Sequence, residues 1–175
     1  LQGLPCISEF THDSIYVGED GPTHQPIEHL MSYRNIPNLL VLRPADANEA
    51  VIASKIAFEQ KDRPSLVLLT RQSVPVIDRN EYAHFSNIEK GGYIISDNDN
   101  PDIIIFATGS EVWVALEVKK LLSDKCSVKV VNLCCWELFE EQDDSYKESV
   151  LKCESKTLHV SIESGITDGW QKFTG

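Results

Sequence analysis

The sequence predicts an α/β protein made of two partial three-layer domains with mostly parallel sheets. The first observation is that short apolar runs of strand length recur along the chain, at residues 39–42, 65–70, 102–107, 128–133 and 157–162. Such continuous runs are typical of parallel strands that are buried on both faces. The second is that two helix patterns lie between successive runs, as parallel β-α-β connections require. The third is a polar stretch at residues 78–92 that divides the chain.

The chain opens with a predicted strand at residues 4–10, which are mostly apolar. A short helix is predicted at about 26–33, because Ile27, Leu30 and Met31 lie along one face. Residues 11–25 therefore connect a strand to a helix. In parallel α/β sheets such connections leave the carboxyl ends of the strands, where ligands usually bind.

The next three elements form a β-α-β unit. Its helix, predicted at about 47–60, follows Asp46, and Glu49 comes three residues later as an acidic variant of the capping box. The flanking apolar runs at 39–42 and 65–70 are expected to pair in parallel through a right-handed crossover.

The second half repeats this order, with a strand at 102–107, a turn in which Ser110 is a candidate N-cap, and a helix at 112–122. A strand followed by a Gly-Ser turn and a helix start could bind an anion. Glu111 would repel an anion there, and the turn is interpreted as a plain connection.

The polar stretch at 78–92 carries charges, asparagines and paired glycines, with no convincing periodicity. We interpret it as a linker. This gives two units, residues 1–77 and residues 93–175.

The segment from residue 11 to residue 26 concentrates chemically active side chains. It contains two histidines and three carboxylates, and its glycines and prolines give it an irregular, stiffened path. Polar groups on such a loop can be held ready for a ligand. A solvated surface turn has the same composition and is the competing interpretation.

The sequence contains two candidate metal sites, and metal binding is disfavoured at both. His12, Asp20 and His24 could ligate zinc, but no pair of them has a recognised compact ligand spacing. Residues 97–100 resemble the start of a calcium loop, yet Pro101 follows as the fifth position and Thr108 stands where the twelfth ligand should be.

Composition limits the partners of the chain. The formal charge of −11 and the isoelectric point of about 4.8 argue against nucleic acid or an anionic membrane. No apolar run approaches the roughly 20 residues that span a bilayer. Five cysteines, two of them adjacent, are a poor disulfide framework, and we expect reduced, mostly buried thiols in a cytosolic protein.

Four segments, in order and at matching separations, resemble those of transketolases. They are THDS at 11–14, GEDGPTHQPIE at 18–28, RPADANE at 43–49 and TRQ at 70–72. Looser matches at 91–93, 107–112 and 136–139 extend the resemblance over nearly the whole chain. Four motifs in register are specific where a single motif could arise by chance.

The resemblance implies the fold of thiamine-diphosphate enzymes. Residues 1–77 would be the C-terminal part of a pyrimidine-binding domain, and residues 93–175 a truncated C-terminal domain. The implied activity is transfer of a two-carbon ketol unit from a ketose phosphate to an aldose phosphate in the pentose phosphate pathway. The implied enzyme is a cytoplasmic homodimer that uses thiamine diphosphate and Mg²⁺.

The resemblance also assigns substrate contacts to His12, Asp20, His24 and Arg71. Arg71 offers a fork of donors for a phosphate, and His12 adds another donor. Asp20 can accept hydrogen bonds from sugar hydroxyls and so distinguish their stereochemistry. His24, the implied catalytic residue, can bind oxygens near the reacting carbon and move protons.

The subunits of this family are several times longer than 175 residues, so we expect the chain to be a fragment. The family's catalytic glutamate and its magnesium and diphosphate motif would lie upstream of Leu1. No cofactor or metal ligand is assigned here, and the fragment alone is expected to be inactive. Related enzymes, such as 1-deoxyxylulose-5-phosphate synthase or dihydroxyacetone synthase, remain alternatives, although the intact segment 18–28 favours transketolase. A non-catalytic dimerisation piece is the other alternative.

Overall fold

A computed structural model describes residues 2–13, 15–152 and 156–175. Ser14 of the first motif and Cys153 lie outside the described residues. The described chain contains two sheets with helices packed against them, and parallel pairs predominate. The predicted fold class is confirmed.

The first sheet has the strand order β1-β3-β2, with both pairs parallel. Its strands are β1 (Ile7–Asp13), β2 (Leu40–Leu42) and β3 (Ser65–Thr70). The strand predicted at 4–10 thus begins and ends three residues later, because its pairing with β3 continues to Thr70. His12 consequently belongs to the strand.

Two α-helices and a 3₁₀ turn belong to this part of the chain: the 3₁₀ turn Pro22–His24, α1 (His29–Arg34) and α2 (Ala47–Glu59). Asp46 caps α2 as predicted, since its side chain accepts a 2.9 Å hydrogen bond from the backbone N–H of Glu49. The Glu49 carboxylate departs from a standard capping box, because it accepts from the N–H of Ala45. Ala53, Ile56 and Ala57 form the buried face of the helix.

The second sheet has the order β4-β6-β5-β7. Its strands are β4 (Tyr93–Ser96), β5 (Ile103–Ala107), β6 (Val128–Asn132) and β7 (Leu158–Ile162). Only β4 runs antiparallel, against β6. The helices are α3 (Glu111–Leu122), α4 (Trp136–Glu140), α5 (Asp144–Leu151) and α6 (Gln171–Thr174). Ser110 lies at the N-cap of α3, but its side chain makes no capping hydrogen bond to the helix.

The polar stretch at 78–92 is closely packed. It contains a 3₁₀ helix, Phe85–Lys90, whose Ile88 is fully buried in one apolar core with Leu40 of the first sheet and Ile105 of the second. At its end Gly91 adopts a φ of 78°, and a Cβ there would lie 2.3 Å from the backbone nitrogen of Phe139. The two sheets therefore share a core, and the division into two domains at this stretch stays a prediction.

The four described cysteines are free. Cys134 and Cys135 are fully buried, and burial raises the pKa of both thiols well above its ordinary value. Cys6, in contrast, is exposed. The expectation of mostly buried thiols therefore applies to the adjacent pair and not to Cys6.

Candidate functional site

The candidate site lies at the carboxyl edge of the first sheet. Strands β1 and β3 are parallel neighbours, and Asp13 pairs with Thr70 at their ends. His12 and Arg71 each lie next to one member of this pair, so the two residues reach the same edge on adjacent strands. Both are exposed. The shared approach of their side chains to one anion stays a prediction.

The end of β1 carries a β-bulge. Phe10 pairs with Leu68 and Asp13 with Thr70, so two residues of β1, Thr11 and His12, lie opposite one residue of β3. Such bulges bend a strand and change the direction of a side chain, and they are frequent beside active sites.

His12 adopts a left-handed backbone conformation, with φ at 65°. For a residue with a side chain this conformation costs on the order of 1 kcal/mol and persists only when its surroundings impose it. The hydroxyl of Thr11 lies 2.8 Å from Nδ1 of the imidazole. Backbone strain therefore falls on a residue to which the resemblance assigns a phosphate contact.

The loop after β1 is held by its own contacts. The Gln25 side-chain amide donates to the carbonyls of Val17 (2.7 Å) and Gly21 (3.2 Å). Val17 is buried and anchors the loop, while Gly21 has φ at 70°. Asp20 and His24 project from this framework as exposed residues. The predicted loop is thus present, with one 3₁₀ turn inside it that the sequence did not indicate.

A buried ion network behind this edge was not predicted. Arg43, only 1% exposed, donates from Nε to Asp13 (2.5 Å) and from Nη1 to Glu111 (2.5 Å). The same Nη1 contacts the carbonyl and the hydroxyl of Thr108, both at 2.8 Å. Arg43 thereby connects the end of β1 to the start of α3, which packs against the second sheet.

A second arginine extends this network. Arg34 makes a two-pronged ion pair with Glu163 at 2.9 and 2.8 Å, and its guanidinium stacks 3.9 Å above the Trp136 ring. Glu163 also accepts from the indole of Trp170 and from the hydroxyl of Thr108.

The charges within the network shift one another's pKa values in a consistent way. Burial raises the pKa of Asp13 above its ordinary value, although Arg43 opposes the rise. Burial alone would lower the pKa of Arg43, but Asp13 and Glu111 raise it, so the guanidinium stays charged. For Glu163 burial raises the pKa, and the stronger combined effect of Arg34 and Arg43 lowers it. Arg43 and Glu163 therefore carry their charges near neutral pH.

A separate polar cluster lies deeper between the sheets. Arg79 contacts Asp46 and Glu49, both at 3.2 Å, and Tyr93 donates to Glu49 at 2.5 Å. Asn132 donates to both oxygens of Glu49. Burial raises the pKa of Glu49. This cluster has the same ion-pair chemistry as the Arg43 network, but it does not include Asp13, the neighbour of His12.

A cavity of about 160 Å³ lies beside the loop. Its wall is mostly apolar, formed by Phe10, Pro26, Leu30, Tyr33 and Leu68, with Asp13 and His29 adding polar groups. Neither His12 nor Arg71 lines it.

Within residues 2–13, 15–152 and 156–175, no group of three or more His, Cys, Asp or Glu side chains is arranged to hold a metal ion. Across the same part of the chain, no helix has the length and apolar character that a membrane crossing requires.

Two family models match the sequence. The model of the transketolase pyrimidine-binding domain matches residues 1–76, and the model of the transketolase-like C-terminal domain matches residues 91–175. Among curated proteins, a transketolase of Aquifex aeolicus is 51% identical over all of this chain, and a chloroplastic transketolase of Zea mays is 50% identical. The chain spans about a quarter of the length of these relatives, 26% in each case.

Solved structures agree with these matches. A transketolase from Pichia stipitis in complex with sedoheptulose-7-phosphate superimposes with a TM-score of 0.92 at 42% identity, over 99% of this chain and 25% of its own. A split-gene transketolase, described as an inactive β4 tetramer, gives 0.69 at 25% identity, over 93% of this chain and 49% of its own.

Proposed function

Because this chain belongs to the transketolase family, we propose that it is part of an enzyme that transfers a two-carbon ketol unit from a ketose phosphate to an aldose phosphate in the pentose phosphate pathway. One observation carries the proposal beyond family membership. The parallel pairing of Asp13 with Thr70 brings His12 and Arg71 to the same edge of the sheet. A phosphate bound between two adjacent strand ends fits the general placement of ligands in α/β sheets.

The four exposed polar residues have separate roles in this proposal. Arg71 and His12 bind the substrate phosphate through charge-assisted hydrogen bonds. Asp20 accepts hydrogen bonds from sugar hydroxyls, and a wrong epimer would leave one of these groups unpaired. His24 binds oxygen next to the reacting carbon and transfers protons there. The Gln25 contacts to Val17 and Gly21 support the last two roles, because they stiffen the loop that carries Asp20 and His24.

Membership of the family implies thiamine diphosphate as the cofactor, with Mg²⁺ as the proposed metal ion. The described residues do not fit the magnesium and diphosphate end of that cofactor. They contain no three-ligand cluster of His, Cys, Asp or Glu, and two buried carboxylates, Asp13 and Glu163, are already paired with arginines. We therefore assign no cofactor contact to this chain and propose that other parts of the enzyme supply them.

The assembly is proposed to be a cytoplasmic homodimer that binds sugar phosphates and no nucleic acid or membrane. The net charge of −11 supports the exclusion of nucleic acid and anionic membranes. Exposed apolar side chains on β1, Ile7 and Phe10, support a covered position for this strand in the assembly.

The test is a ketol-transfer assay on the full-length protein that contains this chain, with thiamine diphosphate, Mg²⁺, a ketose phosphate donor and an aldose phosphate acceptor. We expect turnover that requires both substrates. Turnover with another class of donor only would favour 1-deoxyxylulose-5-phosphate synthase or dihydroxyacetone synthase instead.

A non-catalytic role for the chain as an isolated piece is the second candidate. The similarity to the split-gene transketolase, which is described as an inactive β4 tetramer, favours it. Sedimentation of the 175-residue chain together with a turnover assay tests this second role, whereas the assay on the full-length protein tests the first. Self-association without turnover would support the assembly role for the chain by itself.

A further inference from the structure

The end of β1 is held by an ion pair that the proposed chemistry does not use. Asp13 is 7% exposed, and its Oδ2 accepts the 2.5 Å hydrogen bond from Nε of Arg43. Removing two charges from water is costly, and apolar side chains of similar volume often stabilise a fold equally well. Stability alone is therefore a weak reason for this pair, and its position next to His12 suggests another.

The bulge at Thr11 and His12 needs a fixed end. Upstream of it, β1 is in register with β3 from Ile7 to Phe10. Downstream, among the residues that the structure describes, β1 pairs with β3 only at Asp13, opposite Thr70. Because one ladder pair holds a strand end weakly, a strained residue in front of it would relax unless a further contact held Asp13. The Arg43 side chain provides that contact.

Arg43 is itself held by the second sheet. Its Nη1 donates to Thr108, the residue after β5, and to Glu111, the first residue of α3. Gly109 has φ at 55°, and a Cβ on it would lie 2.7 Å from Cζ of Arg43. The turn after β5 thus has room for the guanidinium only because residue 109 is glycine. A continuous set of contacts therefore runs from Glu111 of α3 through Arg43 to Asp13, the residue after His12.

We propose that Asp13 and Arg43 are positioning residues for His12. They hold the bulge in the register that directs the imidazole to the phosphate-binding edge beside Arg71, and Arg43 makes that register depend on the packing of the second sheet against the first. Neither residue contacts the substrate. The proposal rests on the ketol-transfer function proposed above and assigns it two residues that act through His12.

The test compares a phosphorylated acceptor with the same aldose lacking its phosphate, in the full-length enzyme with thiamine diphosphate and Mg²⁺. Asp13→Asn keeps the volume and one acceptor oxygen but removes the charge that orients Arg43. We expect the preference for the phosphorylated acceptor, as a ratio of kcat/KM values, to fall about tenfold. A change of this size lies within the range of interaction energies found between residues in contact. The fall should appear in KM, and kcat/KM for the unphosphorylated aldose should change by less than about twofold.

A double-mutant cycle separates positioning from general damage. In a His12→Ala background, Asp13→Asn should cause no further fall in phosphate preference, because the residue through which it acts is gone. Arg79→Lys is the matched control. Arg79 is also held between two buried carboxylates, Asp46 and Glu49, but it is not connected to the bulge. The Arg79→Lys variant should have a lower melting temperature but an unchanged preference for the phosphorylated acceptor.

Glu111→Gln is the second variant and acts on Arg43 from the other sheet. We expect a smaller fall in phosphate preference in the same direction.

The proposal is overturned if folded Asp13→Asn keeps full phosphate preference, if its effect adds to that of His12→Ala, or if Arg79→Lys has the same effect. It is also overturned if Asp13→Asn and Glu111→Gln both fail to fold while Arg79→Lys folds, since a purely structural role then suffices. An unmutated enzyme without ketol transfer would instead refute the proposed function.

Discussion

The edge strand of the first sheet and a central strand of the second sheet differ in how far they are covered. Six of the seven residues of β1 in the first sheet are exposed, whereas all five residues of β6 in the second sheet are buried. The candidate substrate residues belong to the first sheet, the open sheet, whose edge strand β1 is exposed while β2 and β3 are mostly buried. The second sheet has a packed aromatic core against it, in which the ring centroid of Phe173 lies 6.2 Å from that of Phe139 and 5.9 Å from that of Trp170. The exposed strand and the packed aromatic core therefore belong to different sheets.

The open sheet is nevertheless not independent of the covered one. The Arg43 network and the Arg79 cluster both cross between them, and Leu40 and Ile105 share one core. Polar networks buried between packed elements restrict how those elements can be arranged, because each partly broken arrangement leaves a charge unpaired. The candidate site therefore takes its geometry from both sheets, although its side chains come from one.

The largest expected effect concerns the open sheet. The 175-residue chain alone should show no ketol transfer and weak or no binding of thiamine diphosphate, because a diphosphate anchored by Mg²⁺ needs hard oxygen ligands. Its exposed β1 edge should also promote association. Calorimetric titration with cofactor and Mg²⁺, followed by the ketol-transfer assay, checks this. Micromolar binding with measurable turnover would show that the open sheet is already a complete site.

Matched phenylalanines measure the difference in packing directly. Phe139 on α4 is fully buried against the second sheet, while Phe10 on β1 is 46% exposed, and each has an aromatic neighbour. Phe139→Ala should lower the free energy of unfolding by about 3–5 kcal/mol, and Phe10→Ala by about 0.5 kcal/mol. Urea denaturation of the chain gives both values. Equal losses would mean that β1 is as well packed as the second sheet.

The contact between the sheets should respond to acid. Arg34 lowers the pKa of Glu163 below its ordinary value of 4.5, so the unfolded chain binds this proton more tightly than the folded one. The stabilisation is thus present above pH 4.5 and is lost as the pH falls through the lower folded-state pKa. Asp13, whose pKa is raised, contributes with the opposite sign.

Glu163→Gln tests this contribution. It should cost about 3 kcal/mol at neutral pH, because Arg34 loses its charged partner in a buried place. Stability should then fall less steeply below pH 4.5 than in the unmutated chain. Denaturation curves between about pH 3 and pH 7, roughly the range that includes carboxylate titration, measure the loss at neutral pH and the slope in acid. Glu141→Gln is the control, since its ion pair with Arg63 is half exposed and screened by solvent. An unchanged acid slope in Glu163→Gln would contradict the assignment.

The buried strands could be predicted closely from the sequence. The strand at 65–70 has the predicted bounds, and those at 39–42, 102–107, 128–133 and 157–162 differ from the structure by one residue. Strands covered on both faces give continuous apolar runs, which are easy to recognise. The antiparallel strand β4 has only four residues and alternates in burial, and α4 and α6 are too short to show a helical period.

The sequence indicated the candidate loop by its composition, the roles of His12, Asp20, His24 and Arg71 came from the resemblance and stay predictions, and the buried network was not predicted. Histidines, acids, glycines and prolines crowded into one loop mark a candidate site by composition. Arg43 gives no such signal, because its partners Asp13 and Glu111 are 30 and 68 residues away and only the fold brings them together. One clue was available. An arginine directly after the apolar run that forms β2 enters a buried region, where a charge must have a partner.

The last prediction uses the two ends of β3. Arg71 follows its carboxyl end, at the candidate phosphate edge, and Arg63 precedes its other end, where it pairs with Glu141. In the full-length enzyme, Arg71→Ala should cost about 1.5–3 kcal/mol in kcat/KM for phosphorylated substrates, the range for a lost charge-assisted hydrogen bond. Arg63→Ala removes the same kind of side chain from the other end of this strand and should leave these values unchanged. Unphosphorylated substrates should be affected by neither variant. If Arg71→Ala weakened both substrate classes equally, the residue would support the fold of the open sheet and would not bind the phosphate.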